Sequence, residues 1–128
     1  MVRRTTRAVG SGAERLVERY LADNGLCLVD RNFYCRFGEI DLIMLDGEQL
    51  VFVEVRFRSA QRRVSARFTV DARKRNKIIK TAAMFIVSQP LYANRVMRFD
   101  VVGVDQNGDG AQRLAWIRDA FRPQNSSL

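Results

Sequence analysis

Asp41 and Glu54 stand thirteen positions apart, the first in Gly38-Glu39-Ile40-Asp41-Leu42-Ile43 and the second in Phe52-Val53-Glu54-Val55-Arg56. Each interrupts a run that otherwise reads as a buried β-strand, and Asp46-Gly47 lies between the runs as a hairpin turn signal. A carboxylate in a buried strand is costly unless a metal ion, a basic partner or water compensates it. Asp and Glu brought together can hold a divalent cation that contacts a phosphate and lowers the pKa of a bound water, the requirement of a metal-dependent phosphodiesterase. The competing reading is a solvated strand face on which Glu39, Glu54, Arg56 and Arg58 form exposed salt bridges.

A two-residue turn at Asp46-Gly47 sets Leu45 opposite Glu48 and fixes the hairpin register. Ile40, Leu42, Met44, Val51, Val53, Val55 and Phe57 then share one apolar face. On the other face Glu39 lies opposite Glu54, with Asp41 as Glu54's diagonal neighbour. A three-residue turn would separate Asp41 and Glu54 to opposite faces, and the clean apolar face argues against it. Three acids are therefore expected to converge at the open end of the hairpin.

The elements that must position these acids can be read from pattern. Ser11-Gly12-Ala13-Glu14 has the form of a capping box, followed by Ala13, Leu16, Val17, Tyr20 and Leu21 at helical spacing and by the stop signal Asn24-Gly25. Glu14 thus reads either as the N3 residue of that box or as a first-helix acid that reaches the hairpin site. A first strand is expected at about 26–33, ahead of hairpin strands at about 38–45 and 49–58. Residues 59–68 read as a polar loop. A second helix capped by Thr69 or Asp71 ends before Pro90, with Ile78, Ile79, Ala82, Ala83, Phe85 and Ile86 as its apolar stripe. Residues 96–104 and 114–117 read as strands around a Gly108-Asp109-Gly110 turn, with Trp116 in the core. Arg98 and Asp100 share a face of the former, where Asp100 either pairs with an arginine or supports the acidic site. The order α-β-β-β-α-β-β predicts one α/β domain over residues 11–121, a central mixed sheet flanked by helices. Flexible tails are expected at 1–10 and 122–128.

Composition narrows the chemistry. Among 128 residues there is no histidine and there are only two cysteines, which excludes Ser-His and Cys-His catalysis and a four-ligand structural zinc site within one chain. Cys27 and Cys35 suggest no disulfide framework. A metal would have to be held by oxygen, which points to magnesium or manganese. No apolar run is long enough to span a bilayer, and residues 1–7 lack the apolar segment of a signal peptide, so a cytoplasmic location and no membrane partner are expected.

The net charge of +8 favours a polyanionic partner. It is concentrated: between Val55 and Lys80 ten basic residues (Arg56, Arg58, Arg62, Arg63, Arg67, Arg73, Lys74, Arg75, Lys77 and Lys80) meet a single acid, Asp71. A solvated helix face usually mixes signs, and this one does not. Phe57 and Phe68, interleaved here, read equally as core or as base-stacking positions.

At these residues the chain resembles the YraN-like family of bacterial proteins. Gly-Glu-Ile-Asp-Leu-Ile at 38–43, Phe-Val-Glu-Val-Arg at 52–56, Lys74, and Arg98-Phe99-Asp100-Val101-Val102 carry the likeness, with Glu14 and Asn32 also in place. It extends from about residue 12 to 121. The resemblance implies a restriction-endonuclease-like fold, similar to that of archaeal-type Holliday junction resolvases. It implies Asp41 and Glu54 as ligands of magnesium or manganese, the Val55 carbonyl as a third, and Glu14 as a first-helix acid near the metal. It also implies catalysis by Glu14, Asp41, Glu54 and Arg56, with DNA bound by Arg56, Arg58, Arg73, Lys74, Arg75 and Lys77, and it admits a homodimer. One departure stands out: the nuclease motif has lysine two residues after the glutamate, where this chain has Arg56. Arginine holds phosphate well but is a poor general base. Three functions follow as expectations: a metal-dependent endonuclease acting on branched or damaged DNA, a nucleic-acid binder that does not cleave, and an adaptor whose basic face meets an acidic partner.

Overall fold

The computed structural model describes residues 8–58, 70–106 and 108–123. The elements follow the expected order: α1 (Ala8–Asp23), β1 (Cys27–Cys35), β2 (Gly38–Asp46), β3 (Gln49–Arg58), α2 (Ala72–Ser88), a short 3-10 turn (Pro90–Tyr92), β4 (Met97–Gln106) and β5 (Gln112–Phe121). They build a single α/β domain on one five-stranded mixed sheet of order β1-β2-β3-β4-β5. All pairings are antiparallel except β3 with β4, which run parallel because α2 carries the chain across between them. Residues 59–69, and with them Arg62, Arg63, Arg67, Phe68 and Thr69, lie outside the described residues, as do both ends of the chain.

The sheet has a core on each face. On one, Ala13, Val17 and Leu21 of α1 pack on Leu42, Met44, Val51, Val53, Val102 and Val104. On the other, Ile78, Ala82 and Phe85 of α2 pack on Ile43, Leu50, Phe52, Phe99 and Val101. Phe85 meets Phe33 and Phe52 edge-on at 5.2 and 6.1 Å between ring centroids, and Phe52 and Phe99 stack at 5.4 Å. The α2 stripe departs from expectation only at Ala83, which is exposed, while Thr81 is buried with its hydroxyl donated to the Lys77 carbonyl.

Several local expectations are corrected. The first helix begins at Ala8, so Ser11 lies inside it and is not its N-cap. At α2 the cap is Asp71, whose carboxylate accepts the Lys74 amide at 2.9 Å. The β2–β3 ladder pairs Asp46 with Gln49 and Leu42 with Val53, two residues away from the predicted register. The turn residues are therefore Gly47 and Glu48, and Gly47 alone of these has a positive φ, +62°. An Asp46-Gly47 turn of the common hairpin type would need Asp46 in that left-handed region as well; Asp46 instead stays in the strand and accepts a hydrogen bond from Arg98. A shift of two preserves side-chain parity, so the face assignments survive it. The exception is Ile40, buried as expected but packed in the α2-side cluster with Phe33, opposite Leu42. The last strand is longer than predicted, and Trp116 is half-buried at the edge of the α1-side cluster.

Candidate active site

The reversal at Ile40 has a visible cause. β1 and β2 pair at Arg31–Leu42 and again at Phe33–Ile40, and the residues between those pairs are Asn32 and Asp41. Asn32 has φ +50°, a left-handed conformation that asparagine tolerates better than most residues. Alternation breaks at this point, so β2 presents Ile40 to α2 and Leu42 to α1. The paired register of β2 and β3 also ends at Leu42–Val53, although both strands continue. At that opening the Asp41 carboxylate accepts the Val55 amide of β3 at 2.8 Å. A carboxylate thus occupies the place where two strands part.

Glu54 follows on β3 and is 6% exposed. One of its carboxylate oxygens lies 3.3 Å from Lys74 Nζ and 3.7 Å from Arg56 Nη1. Burial raises the pKa of both acids. For Asp41 the rise is large: desolvation acts first, the neighbouring Glu54 charge second, the Val55 amide works against them, and the charges of Glu14 and Glu39 add further. For Glu54 desolvation is opposed by Lys74 and Arg56.

Asn32 organises the remaining acids. Its amide nitrogen donates to Glu14 at 2.9 Å and to Glu39 at 3.2 Å. Glu14 is therefore held near the site by a side-chain amide, and the helix-cap reading of it falls with the earlier helix start. Glu39 is joined to Glu14 through Asn32, and the charges of Glu14, Glu39 and Glu54 all act on Asp41, though among the described residues no three such side chains form a group that could hold one metal ion. Glu14 and Asn32 line one end of an open groove of about 620 Å³ beside α1, with Arg15, Arg19 and an Arg31 paired to Glu18 at 2.8 Å.

The cations sort themselves. Lys74 and Arg56 touch Glu54 directly. Arg73 and Lys77 are exposed on α2, and Arg75 is half-exposed with its amide donated to the Asp71 carbonyl. Arg58 ends β3, and its side chain lies outside the described residues. Phe57 is 46% exposed, which removes it from the core.

Arg98 and Asp100 belong elsewhere. Asp100 is 1% exposed and accepts both Arg98 nitrogens, the Trp116 indole N–H and the Asp119 amide, all at 2.9 Å. Arg98 also donates to Asp46 and Gln49 beside the β2–β3 turn. This network ties β2, β3, β4 and β5 together and does not reach Asp41 or Glu54. The structure selects the arginine-pairing reading of Asp100; what sequence reasoning missed is the role of Asn32 as the hinge of the site, the available signal being an asparagine placed after Asp30-Arg31 between apolar strand residues.

Whether a cation fits can be judged from the donors. Asp41 and Glu54 supply hard oxygen ligands suited to magnesium or manganese. Burial raises both, and like charge from Glu54, Glu14 and Glu39 raises Asp41 further, a condition that a divalent cation relieves. Lys74 and Arg56 already relieve part of it at Glu54. The residues fit a two-carboxylate site that a backbone oxygen would complete, and the Val55 peptide is the one adjoining Asp41.

What these features define is a small α/β domain with a half-buried and a buried acid, Asp41 and Glu54, at an opened strand pair, flanked by a basic helix. Over residues 13–104, which include Glu14, Asp41, Glu54 and Lys74, the sequence matches the family described as Uncharacterised protein family UPF0102. The chain belongs to that family. It is 45% identical over 116 residues to a UPF0102 protein of Stutzerimonas stutzeri, covering 91% of this chain and 96% of that one. It is 42% identical over 118 residues to one from Alcanivorax borkumensis, covering 92% and 94%. A Pseudomonas aeruginosa relative is 43% identical over 120 residues, covering 93% and 96%. No helix among the described residues is long and apolar enough to cross a membrane.

Proposed function

We propose that this protein is a divalent-metal-dependent phosphodiesterase acting on nucleic acid, with DNA as the first substrate to test. The observation that carries the reading is the pairing of half-buried Asp41 with buried Glu54 at a strand opening, with Lys74 and Arg56 beside Glu54. Magnesium or manganese, held by the two carboxylates and the Val55 carbonyl, would polarise a phosphoryl oxygen and make water more acidic. Arg56 and Lys74 then hold the phosphate and stabilise charge developing on it. Arg56 keeps its proton throughout. Glu14, positioned by Asn32, adds a negative charge at the margin of the site and favours cation over anion there.

The first turn of α2 supports a phosphate ligand independently. It has no acidic residue and carries Arg73, Lys74 and Arg75. Cations are disfavoured at the positive end of a helix, where anions are stabilised. Such a concentration costs helix stability and suits an incoming phosphate.

A second reading keeps binding and omits cleavage. It is favoured by one contact pattern: Lys74 and Arg56 compensate Glu54 without a metal.

The two readings part on incubation with linear, nicked and four-way-junction DNA in magnesium, manganese or EDTA. Cleavage is expected with either metal and in none of the EDTA reactions. Identical background for wild type and Glu54→Gln in every lane leaves only the binder. Binding itself should be strongly salt-dependent, with a log–log slope of roughly −4 to −5 if about five phosphates are neutralised. Changing Lys74, Arg75 and Lys77 to alanine should flatten that slope.

A further inference from the structure

The basic face of α2 does not stop at Glu54. Lys74, Lys77 and Lys80 recur every third residue, and their contacts run from β3 at Lys74 to the β1–β2 turn at Lys77 and Lys80. Lys74 reaches Glu54. Lys77 lies against Gly38, where a β-carbon would come within 3.9 Å of the Lys77 Cβ and 3.5 Å of the Thr81 hydroxyl. Lys80 Nζ stands 5.8 Å from the centre of the Phe37 ring, and the Arg36 guanidinium lies 4.9 Å from that same centre. Phe37 sits in the β1–β2 turn, half-buried, while Arg36 and Lys80 are exposed. Position 38 is glycine with φ +152°, a backbone conformation that residues with a side chain rarely adopt, so glycine is what lets the turn take this path.

From Lys74 to Lys80 the helix rises about 9 Å, a distance that about two to three nucleotides span. At the far end of that path stands an aromatic ring attended by two cations, the combination that holds unpaired bases: stacking on the ring, charge on the backbone. A duplex offers no open base face to such a ring.

We infer that Phe37, with Arg36, Lys77 and Lys80, forms a subsite for an unpaired nucleotide flanking the phosphate bound at Lys74. It rests on the nucleic-acid reading above and names the substrate class, a strand single-stranded on one side of that phosphate. In the free protein the ring is covered by Arg36 and Lys80. On binding, these side chains turn to phosphate and the ring takes a base. The competing role for Phe37 is purely structural, a plug that seats the turn on α2.

The test is equilibrium binding of the full chain, in EDTA, to a short labelled single strand and to the duplex of the same sequence. Phe37→Leu should weaken single-strand binding roughly 5- to 100-fold and leave duplex binding unchanged. Lys80→Ala should lower the salt slope for the single strand by about one. Phe37→Trp should keep single-strand affinity, and its added indole emission, read against that of Trp116 in wild type, should be quenched when the strand binds. These last two variants read the subsite even if Phe37→Leu fails to fold. Equal losses on single strand and duplex, an unquenched Phe37→Trp emission, or an unaltered salt slope in Lys80→Ala would overturn the subsite. Binding that follows the expected pattern while no DNA is cut in metal leaves the subsite standing and removes catalysis. A wild type that binds neither DNA removes both.

Discussion

Asp100→Ala is expected to cost about 3–5 kcal/mol, the loss typical of breaking a buried ion pair from one side. Four hydrogen bonds at 2.9 Å converge on this side chain. Removing it leaves the Trp116 N–H, the Asp119 amide and the Arg98 guanidinium without their common acceptor. The Asp119 amide matters further because Asp119 has φ +54°, a conformation held by its surroundings. A domain of ordinary stability, about 5–15 kcal/mol, would be left marginal. Denaturant unfolding of the variant against wild type measures the cost, and a loss under about 1 kcal/mol would mean that the network is solvated and dispensable. Because this network touches neither Asp41 nor Glu54, a second expectation follows: folded Asp100→Ala protein should bind DNA as wild type does.

Asp41→Asn should abolish metal-dependent cleavage while making the metal-free protein more stable at neutral pH. The sign follows from the raised pKa. A carboxyl whose pKa is higher folded than unfolded prefers to be protonated in the fold. Its stabilising contribution is therefore complete below the unfolded carboxylate value, about 3.9 for Asp. That contribution is lost as pH rises through the folded value. Glu54 shifts in the same direction. Asparagine keeps an oxygen for the Val55 amide and has nothing to ionise, so it escapes this loss. Wild type minus variant, measured by denaturation across mildly acidic to neutral pH in EDTA, should show a gap that widens toward neutral pH. Manganese should raise the melting temperature of wild type and leave the variant unmoved. Parallel pH profiles would show that Asp41 is not strained by burial, and a manganese shift in the variant would place any cation elsewhere.

The order of elements was legible because each carries a local signature. Alternating apolar strands, the Asp71 cap and the Ile78–Ala82–Phe85 stripe depend on near neighbours in the chain, and all stand as read. What was not legible depended on backbone conformation or on distant partners. The hairpin register turned on which residue took the positive φ, and both Asp46-Gly47 and Gly47-Glu48 are acceptable turn pairs by composition. The face of Ile40 turned on Asn32, a residue of a different strand. Asp100 could not be assigned because its partners Trp116 and Asp119 follow it by sixteen and nineteen positions. The candidate acids were found because a carboxylate is conspicuous in an apolar strand; the contact of Glu54 with Lys74, twenty residues beyond it, needed the fold.

β1 is an outermost strand of the sheet, paired on one side only, by β2. Outermost strands open first in the native ensemble, at a fraction of the free energy of global unfolding. Since Asn32 belongs to that strand and holds both Glu14 and the crossing of β2 at Asp41, the geometry of the acids is anchored in one of the less protected parts of the domain. Fraying of β1 would release Glu14 and let β2 resume regular alternation while the Phe52–Phe99 core stays intact. The arrangement of the acids can therefore be lost without unfolding the protein, and on the proposed function warming would end activity before it melts the sheet.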